Sequence, residues 1–321
     1  LRIAQDGSGI AEVVRLVINP LWNAYSFFCR YANVDGYRAT AVPDRAAPPA
    51  GLLDRHILAT TRALIDTITD RMDAYDIAGA CHEIVAFIDT LNNWYIRRSR
   101  DRFWAPGSAA EGTMTDDKVD AYDTLFTVLT TVMRLAAPLL PLITEEMYRG
   151  LTGEDSVHLS DWPEPAVLAE DPDLVADMDA VRASCSAVLG LREDHGLRTR
   201  LPLRSVIVAG PTSARLRHLS GLLADEVNVK DVELREDTAG LGQTVLRPDA
   251  RVLGPRLGKG VQEVIAASRS GEWTDNGDGT VTAAGHNLAA GEFEVAMIPA
   301  EGSAAAAVRR IDPEGRSIDL G

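Results

Sequence analysis

The sequence has little positive charge, few cysteines and no long apolar run. Of its 321 residues, 32 are Lys or Arg and 47 are Asp or Glu, a formal net charge of −15. That balance argues against broad, non-specific attraction to nucleic acid, because phosphate contacts need positive charge. Any polyanion must find a local, shaped site. No stretch approaches the ~18 consecutive apolar residues of a membrane span, so no membrane partner is expected. The opening LRIAQDGSGIAEVV has neither the basic start nor the apolar block of a secretory signal. It lacks an initiator Met, so the sequence is expected to be a piece of a longer chain or a processed product. Cys29, Cys81 and Cys185 are far apart among small or apolar residues, and Cys-x-x-Cys is missing. Buried free thiols in a reducing cytoplasm are expected, rather than disulfides or a metal site.

Catalytic signatures are also missing. No histidine stands at metal-ligand spacing from a cysteine. Ser184, Asp194 and His195 do not sit on a nucleophile elbow. GPRLGKG (Gly254 to Gly260) is one residue short of a phosphate loop and has Gly260 where Ser or Thr would hold magnesium, so a helix-entry turn is expected. DNGDGT (Asp275 to Thr280) lacks calcium-loop spacing and reads as a hairpin turn.

What is present is helical patterning. Ile77, Cys81, Ile84, Ile88, Leu91 and Tyr95 recur at the three- and four-residue steps of one helix face. Similar faces run from about Gly9 to Tyr31, Pro49 to Tyr75 and Asp116 to Met133, the last stopping near Pro138 and Pro141. Long amphipathic helices with short polar links predict an antiparallel bundle. A proline- and acid-rich connector, Gly153 to Asp173, leads to another helix over about Leu174 to Leu191. From Leu203 onward strand-like runs (SVIVAG, VKDVELRE, GQTVLRPD, EWTDNGDGTVTAAG, GEFEVAMIPAE) alternate with helical TSARLRHLSGLLADEVN and RLGKGVQEVIAASRSGE. The fold class expected is mainly α, a helical bundle followed by a smaller α/β or α+β domain. The expected divisions are 1–173, a linking helix and basic loop over 174–202, and 203–321. The Ala-rich stretch after Gly302 is ambiguous.

The acidic chain concentrates Arg97, Arg98, Arg100 and Arg102 in NNWYIRRSRDRFWA, among Trp94, Tyr95, Phe103 and Trp104. On an ideal helix Arg98 and Arg102 continue the apolar stripe, where each needs a carboxylate or carbonyl partner, and Arg97 and Arg100 point away. Two interpretations stand: a solvated helix end complementing the helix dipole, or a nucleic-acid platform with planar donors and stacking rings. Trp104 lies at or just past the helix end, either packed back on the bundle or held at its rim by Pro106 and Gly107.

LVINPLWNAYSFFCRYANVDGY (Leu16 to Tyr37), NNWYIRRSRDRFW, LAAPLLPLITEEMYRGL (Leu135 to Leu151) and VHLSDWPE (Val157 to Glu164) together resemble the anticodon-binding domain of class I aminoacyl-tRNA synthetases. GLRTRLPLRSVIV, DEVNVKDVEL and LGPRLGK resemble the C-terminal region of the isoleucyl branch. The branch's His-Ile-Gly-His-type and Lys-Met-Ser-Lys-Ser-type motifs, its editing domain and its Cys-rich zinc element do not occur here. The resemblance implies a cytoplasmic, monomeric ligase that uses ATP and Mg to make isoleucyl-tRNA, of which this piece, with no cofactor of its own, recognises the isoleucine tRNA anticodon arm. The tRNA-binding residues it implies are Asn23, Trp94, Arg97, Arg100, Trp104, Arg198 and Arg200. For Asn23 a helix-packing hydrogen bond is an equal alternative. For the basic stretch Arg192, Arg198, Arg200 and Arg204 the alternative is a tie between domains. A helical protein-interaction module without an RNA role, or the valyl counterpart, are the rival assignments.

Overall fold

The apolar faces of the first half fold as an up-and-down helical bundle. The computed structural model describes residues 8–210, 212–237, 242–276 and 279–299, and the chain divides into two units, Leu1–Val175 and Ala176–Gly321. In the first unit α1 (Ser8–Val13), a π turn (Val14–Ile18) and α2 (Asn19–Asp35) make one rod. The π turn stands directly before Pro20, which has no N–H to give to an i−4 carbonyl. Gly36, at φ 64°, closes the rod in the left-handed conformation that suits glycine.

Next come α3 (Leu52–Asp73) and α4 (Ile77–Asp89), which continues through a π turn (Thr90–Ile96) into α5 (Arg97–Trp104). Asp76 caps α4 by accepting from the Gly79 N–H at 2.9 Å. α6 (Asp116–Ala136) and α7 (Pro141–Thr152) complete the bundle. Leu21, Ile57, Ile65, Ile68, Ile88, Leu91, Tyr95, Tyr122, Leu125 and Leu129 fill its core.

The stripe expected on the long helix shifts at both ends. Ile84, Ile88, Leu91 and Tyr95 of that stripe are buried as expected, but Ile77 and Cys81 are exposed, and Ala80 and Phe87 are buried in addition. The wider π turn then rotates the helix, so Trp94, Tyr95 and Ile96 are all buried and the face continues through Ser99 and Phe103. The cysteines are free thiols, but only Cys185 is buried; Cys29 is half-buried. The connector carries two 3₁₀ turns, Val157–Leu159 and Pro165–Val167, and returns Val157 and Leu168 to the bundle core. α8 (Pro172–Asp194) follows.

In the second unit β1 (Leu203–Ala209) pairs parallel with β2 (Val229–Arg235). Their crossover is a 3₁₀ turn (Ser213–Leu219) and α9 (Ser220–Val227), as a parallel pair requires. β3 (Gly242–Pro248) pairs antiparallel with β7 (Phe293–Pro299). Between them lie α10 (Ala250–Leu257), α11 (Gly260–Ser270) and a small sheet of β4 (Trp273–Asp275), β5 (Val281–Ala283) and β6 (His286–Leu288). The GPRLGKG segment is the junction of α10 and α11: the helix-entry turn expected there is present at Gly258, with φ 53°, but it is preceded by a second helix, α10. β6 carries no sequence signal: three residues are too short for alternation to register. The hairpin expected at DNGDGT closes with the Asn276 N–H on the Thr280 carbonyl at 3.1 Å, while Gly277 and Asp278 lie outside the described residues. The Ala-rich stretch also lies outside them.

Among the described residues no helix is long and apolar enough to cross a membrane. No group of three or more His, Cys, Asp or Glu there could hold a metal ion.

Candidate nucleic-acid interface

The arginine-rich end of α5 rests on a buried polar bracket. Asp54, on the first turn of α3, is fully buried. It accepts from the Tyr95 hydroxyl at 2.7 Å and from both terminal nitrogens of Arg102 at 2.9 and 2.7 Å. Gly51 makes room for it: a Cβ there would stand 2.3 Å from the Asp54 carboxylate. Arg102 also reaches the Asp117 carbonyl at 2.9 Å and carboxylate at 3.0 Å. Burial and the adjoining Asp54 charge push the Tyr95 hydroxyl well above the ordinary phenol range. Burial alone would lower the Arg102 guanidinium, but its bonds to Asp54 carry it upward, so it stays a cation. Arg102 thus finds the carboxylate partner its place on the apolar side requires.

Residues off that face remain at the surface. Arg97 and Arg100 are exposed. Arg97 folds back to its own helix, donating from Nε to the Asn93 carbonyl at 2.7 Å. Arg100 makes no ion pair among the described residues. Trp104, the last residue of α5, is 55% exposed, so more than half of the side chain stays open to solvent. Trp94 is different. It is 5% exposed, buried where the π turn rotates the helix inward, and the Arg98 guanidinium lies 5.2 Å from its ring centroid. Trp94 therefore offers no open stacking face, and the RNA-contacting role expected of it is corrected to a packing one.

α2 runs alongside. Val14–Ile18 packs on α4, α2 packs on the π turn before α5, and Phe27 meets Phe103 edge-on at 5.0 Å. The two rods are therefore parallel. Asn23 lies four residues before Phe27, as Ser99 lies four residues before Phe103, so Asn23 stands near the level of Ser99 and Arg100. Asn23 is exposed. Arg30, three residues beyond Phe27, is exposed about 3 Å further along the rods than Trp104 and makes no ion pair among the described residues. The spacing of four and three puts Asn23, Phe27 and Arg30 on one side of α2, and only the contact of Phe27 with Phe103 relates that side to α5.

The second basic stretch belongs to the second unit, and its members separate. Arg198, Arg200 and Arg204 are exposed. Arg192 is 2% exposed and donates to the carbonyls of Val227 at 3.1 Å and of Arg198 and Leu201 at 2.5 Å each. It is the internal peg of the loop that displays Arg198 and Arg200.

A family model described as the anticodon-binding domain of tRNA ligases matches residues 54–207. The isoleucine–tRNA ligase of Nocardia farcinica is 48% identical over 300 residues, 94% of this chain and 27% of that protein. That of Leifsonia xyli subsp. xyli is 49% identical over 290 residues, 90% of this chain and 25% of its own. That of Mycobacterium tuberculosis is 45% identical over 311 residues, 97% and 28% respectively. The chain spans about a quarter of the length of these relatives. Residues 54–207, from the buried Asp54 through the rim of α5 to β1, match the anticodon-binding domain of tRNA ligases, and the chain is similar along nearly all its length to part of an isoleucine–tRNA ligase.

Proposed function

We infer that this chain grips the anticodon arm of an isoleucine tRNA on behalf of a cytoplasmic isoleucine–tRNA ligase, which joins isoleucine to its tRNA with release of AMP and pyrophosphate from ATP. The ATP and magnesium of that reaction belong to parts of the ligase outside these residues. The observation that carries the inference is the rim of α5: exposed Arg97 and Arg100 beside an exposed Trp104, with Asn23 and Arg30 on the parallel rod. Anticodon bases are unstacked in a loop, where arginine meets phosphate or a base edge and an indole stacks on a base face. A rigid bundle fixes those groups without spending binding energy on ordering them. Arg198 and Arg200 are assigned to the same tRNA.

The test is a titration of a labelled isoleucine anticodon stem-loop at two salt concentrations. With about four neutralised phosphates, affinity falls roughly fiftyfold between about 50 and 200 mM salt. Affinity that is absent at both concentrations, or unmoved by salt, favours the protein-interaction alternative.

A further inference from the structure

The chain just beyond Trp104 is held by a residue that sequence alone places on the surface. Lys118 follows Asp116 and Asp117 in the first turn of α6, yet it is 2% exposed. Its ammonium group donates to the Ala105 carbonyl at 2.8 Å and the Gly107 carbonyl at 3.0 Å. It pairs with the Asp35 carboxylate at 2.7 Å. Three donor hydrogens meet three acceptors. Asp35, the last residue of α2, is fixed in turn by the Tyr122 hydroxyl at 2.5 Å. Gly107 tolerates no side chain here: its φ is 110°, and a Cβ would lie 2.4 Å from the Thr113 carbonyl oxygen.

Its neighbour Asp117 reaches the other way, to Arg102. Two consecutive residues of α6 therefore grasp the chain on either side of Trp104, two residues before it and one residue after it. Trp104 makes no aromatic pairing that would hold its ring by itself among the described residues. Its place at the rim is set by the backbone that Lys118 holds and by the Arg102 side chain that Asp117 receives.

We propose that Lys118, seconded by Asp117, is a positioning residue for tRNA recognition: it fixes the backbone on which Trp104 stands and so presents the indole to a base of the anticodon loop. This rests on the tRNA reading above. The Ala105 and Gly107 carbonyls follow the last turn of α5, where free acceptors normally turn to water.

Two measurements on the 321-residue chain test it. The first needs no RNA. With 5-fluorotryptophan incorporated, the Trp104 resonance is assigned by its loss in Trp104→Phe. Lys118→Met should shift or broaden that resonance and leave those of Trp22, Trp162 and Trp273 in place. Asp117→Ala, at a largely exposed carboxylate, should move it less. If Lys118→Met does not fold, Asp117→Ala decides alone. A Trp104 resonance unmoved in the folded variants overturns the proposal, whatever the tRNA result. The second measurement is a double-mutant cycle on anticodon stem-loop affinity. Lys118→Met should weaken binding about tenfold, as expected for a misplaced stacking ring, and by less than about twofold once Trp104 is already alanine. Equal losses in both backgrounds overturn the proposal by showing that Lys118 acts elsewhere. If the parent chain binds no stem-loop, the tRNA reading fails while the resonance test still judges the bracket.

Discussion

Replacing Arg102 by methionine isolates what the buried bracket contributes. Methionine keeps much of the stem and removes every donor, leaving the fully buried Asp54 with the Tyr95 hydroxyl as its remaining side-chain partner. Removing one partner of a buried charge pair costs about 3–5 kcal/mol, because the other charge is stranded. The lower end applies here, roughly 3 kcal/mol, since Arg102 is itself 15% exposed and water can enter the space it leaves. With a urea dependence of about 2 kcal/mol per molar, the midpoint should fall by roughly 1.5 M. Tryptophan fluorescence follows the transition. The control is Asp54→Asn combined with Arg102→Met. Asparagine can still accept from Tyr95 and leaves no charge stranded, so the double variant should be more stable than Arg102→Met alone. A single-variant midpoint equal to that of Arg100→Ala, or a double variant less stable than the single, refutes the reasoning.

Trp104→Ala should lower stem-loop affinity by about 1–3 kcal/mol while the thermal midpoint barely moves, because the ring is mostly in solvent. A falling midpoint with unchanged affinity would contradict it. Arg100→Ala and Arg30→Ala should each weaken stem-loop binding and reduce the salt slope by about one phosphate contact, measured by titration across a salt series. Alkaline pH should unfold the bundle. Tyr95 and Tyr122 donate to carboxylates, and burial raises both above the ordinary value of 10.0. Their raised pKa values give stability that is fully present below about pH 10 and lost as pH rises through the folded values. Phenolate absorbance at 295 nm should therefore lag for these residues until fluorescence reports unfolding; full ionisation of all tyrosines in the folded chain would sink this. The chain alone should show no isoleucine-dependent exchange of pyrophosphate into ATP; exchange above a mock preparation would overturn that.

The helices are legible in the sequence because burial on one face leaves a three- and four-residue rhythm, and it is strong in α3, α4 and α6. Phase is harder to read. The π turn at Thr90–Ile96 adds a residue to the helical repeat without changing composition, so an ideal helix carried past Leu91 still sorts Tyr95, Arg97, Arg100 and Arg102 but misplaces Trp94. The burial of Trp94 is lost to sequence reasoning for this reason. Arg102 falls in line with the buried side even on an ideal helix, but its partner Asp54 lies 48 positions earlier, and sequence spacing carries no information on that pairing. Lys118 escapes notice differently. A lysine beside two aspartates at a helix start reads as a solvated first turn, and only the approach of residues 105 to 107 buries it. Arg30 is hidden because a single arginine in an aromatic run carries no pattern until Phe27 is known to touch Phe103.

The net charge of −15 does not settle whether the rim of α5 can meet RNA. Many of the bundle's acids are already engaged by its own cations: Asp54 and Asp117 by Arg102, Asp120 and Asp123 by Arg45, Asp76 and Glu83 by Arg71, and Asp35 by Lys118. Such pairs present little field to an incoming phosphate. Arg30 and Arg100 make no ion pair among the described residues, so their charge is not cancelled in place. At physiological ionic strength charges further than about 8 Å away are screened. An anticodon loop docked at Trp104, as proposed, would therefore meet Arg97 and Arg100 together with the exposed Asp101 carboxylate of the same helix, while carboxylates further off would be screened. On the proposed reading, the excess of carboxylates disfavours a phosphate backbone over the rest of the bundle's surface and leaves the rim of α5 as its point of approach there.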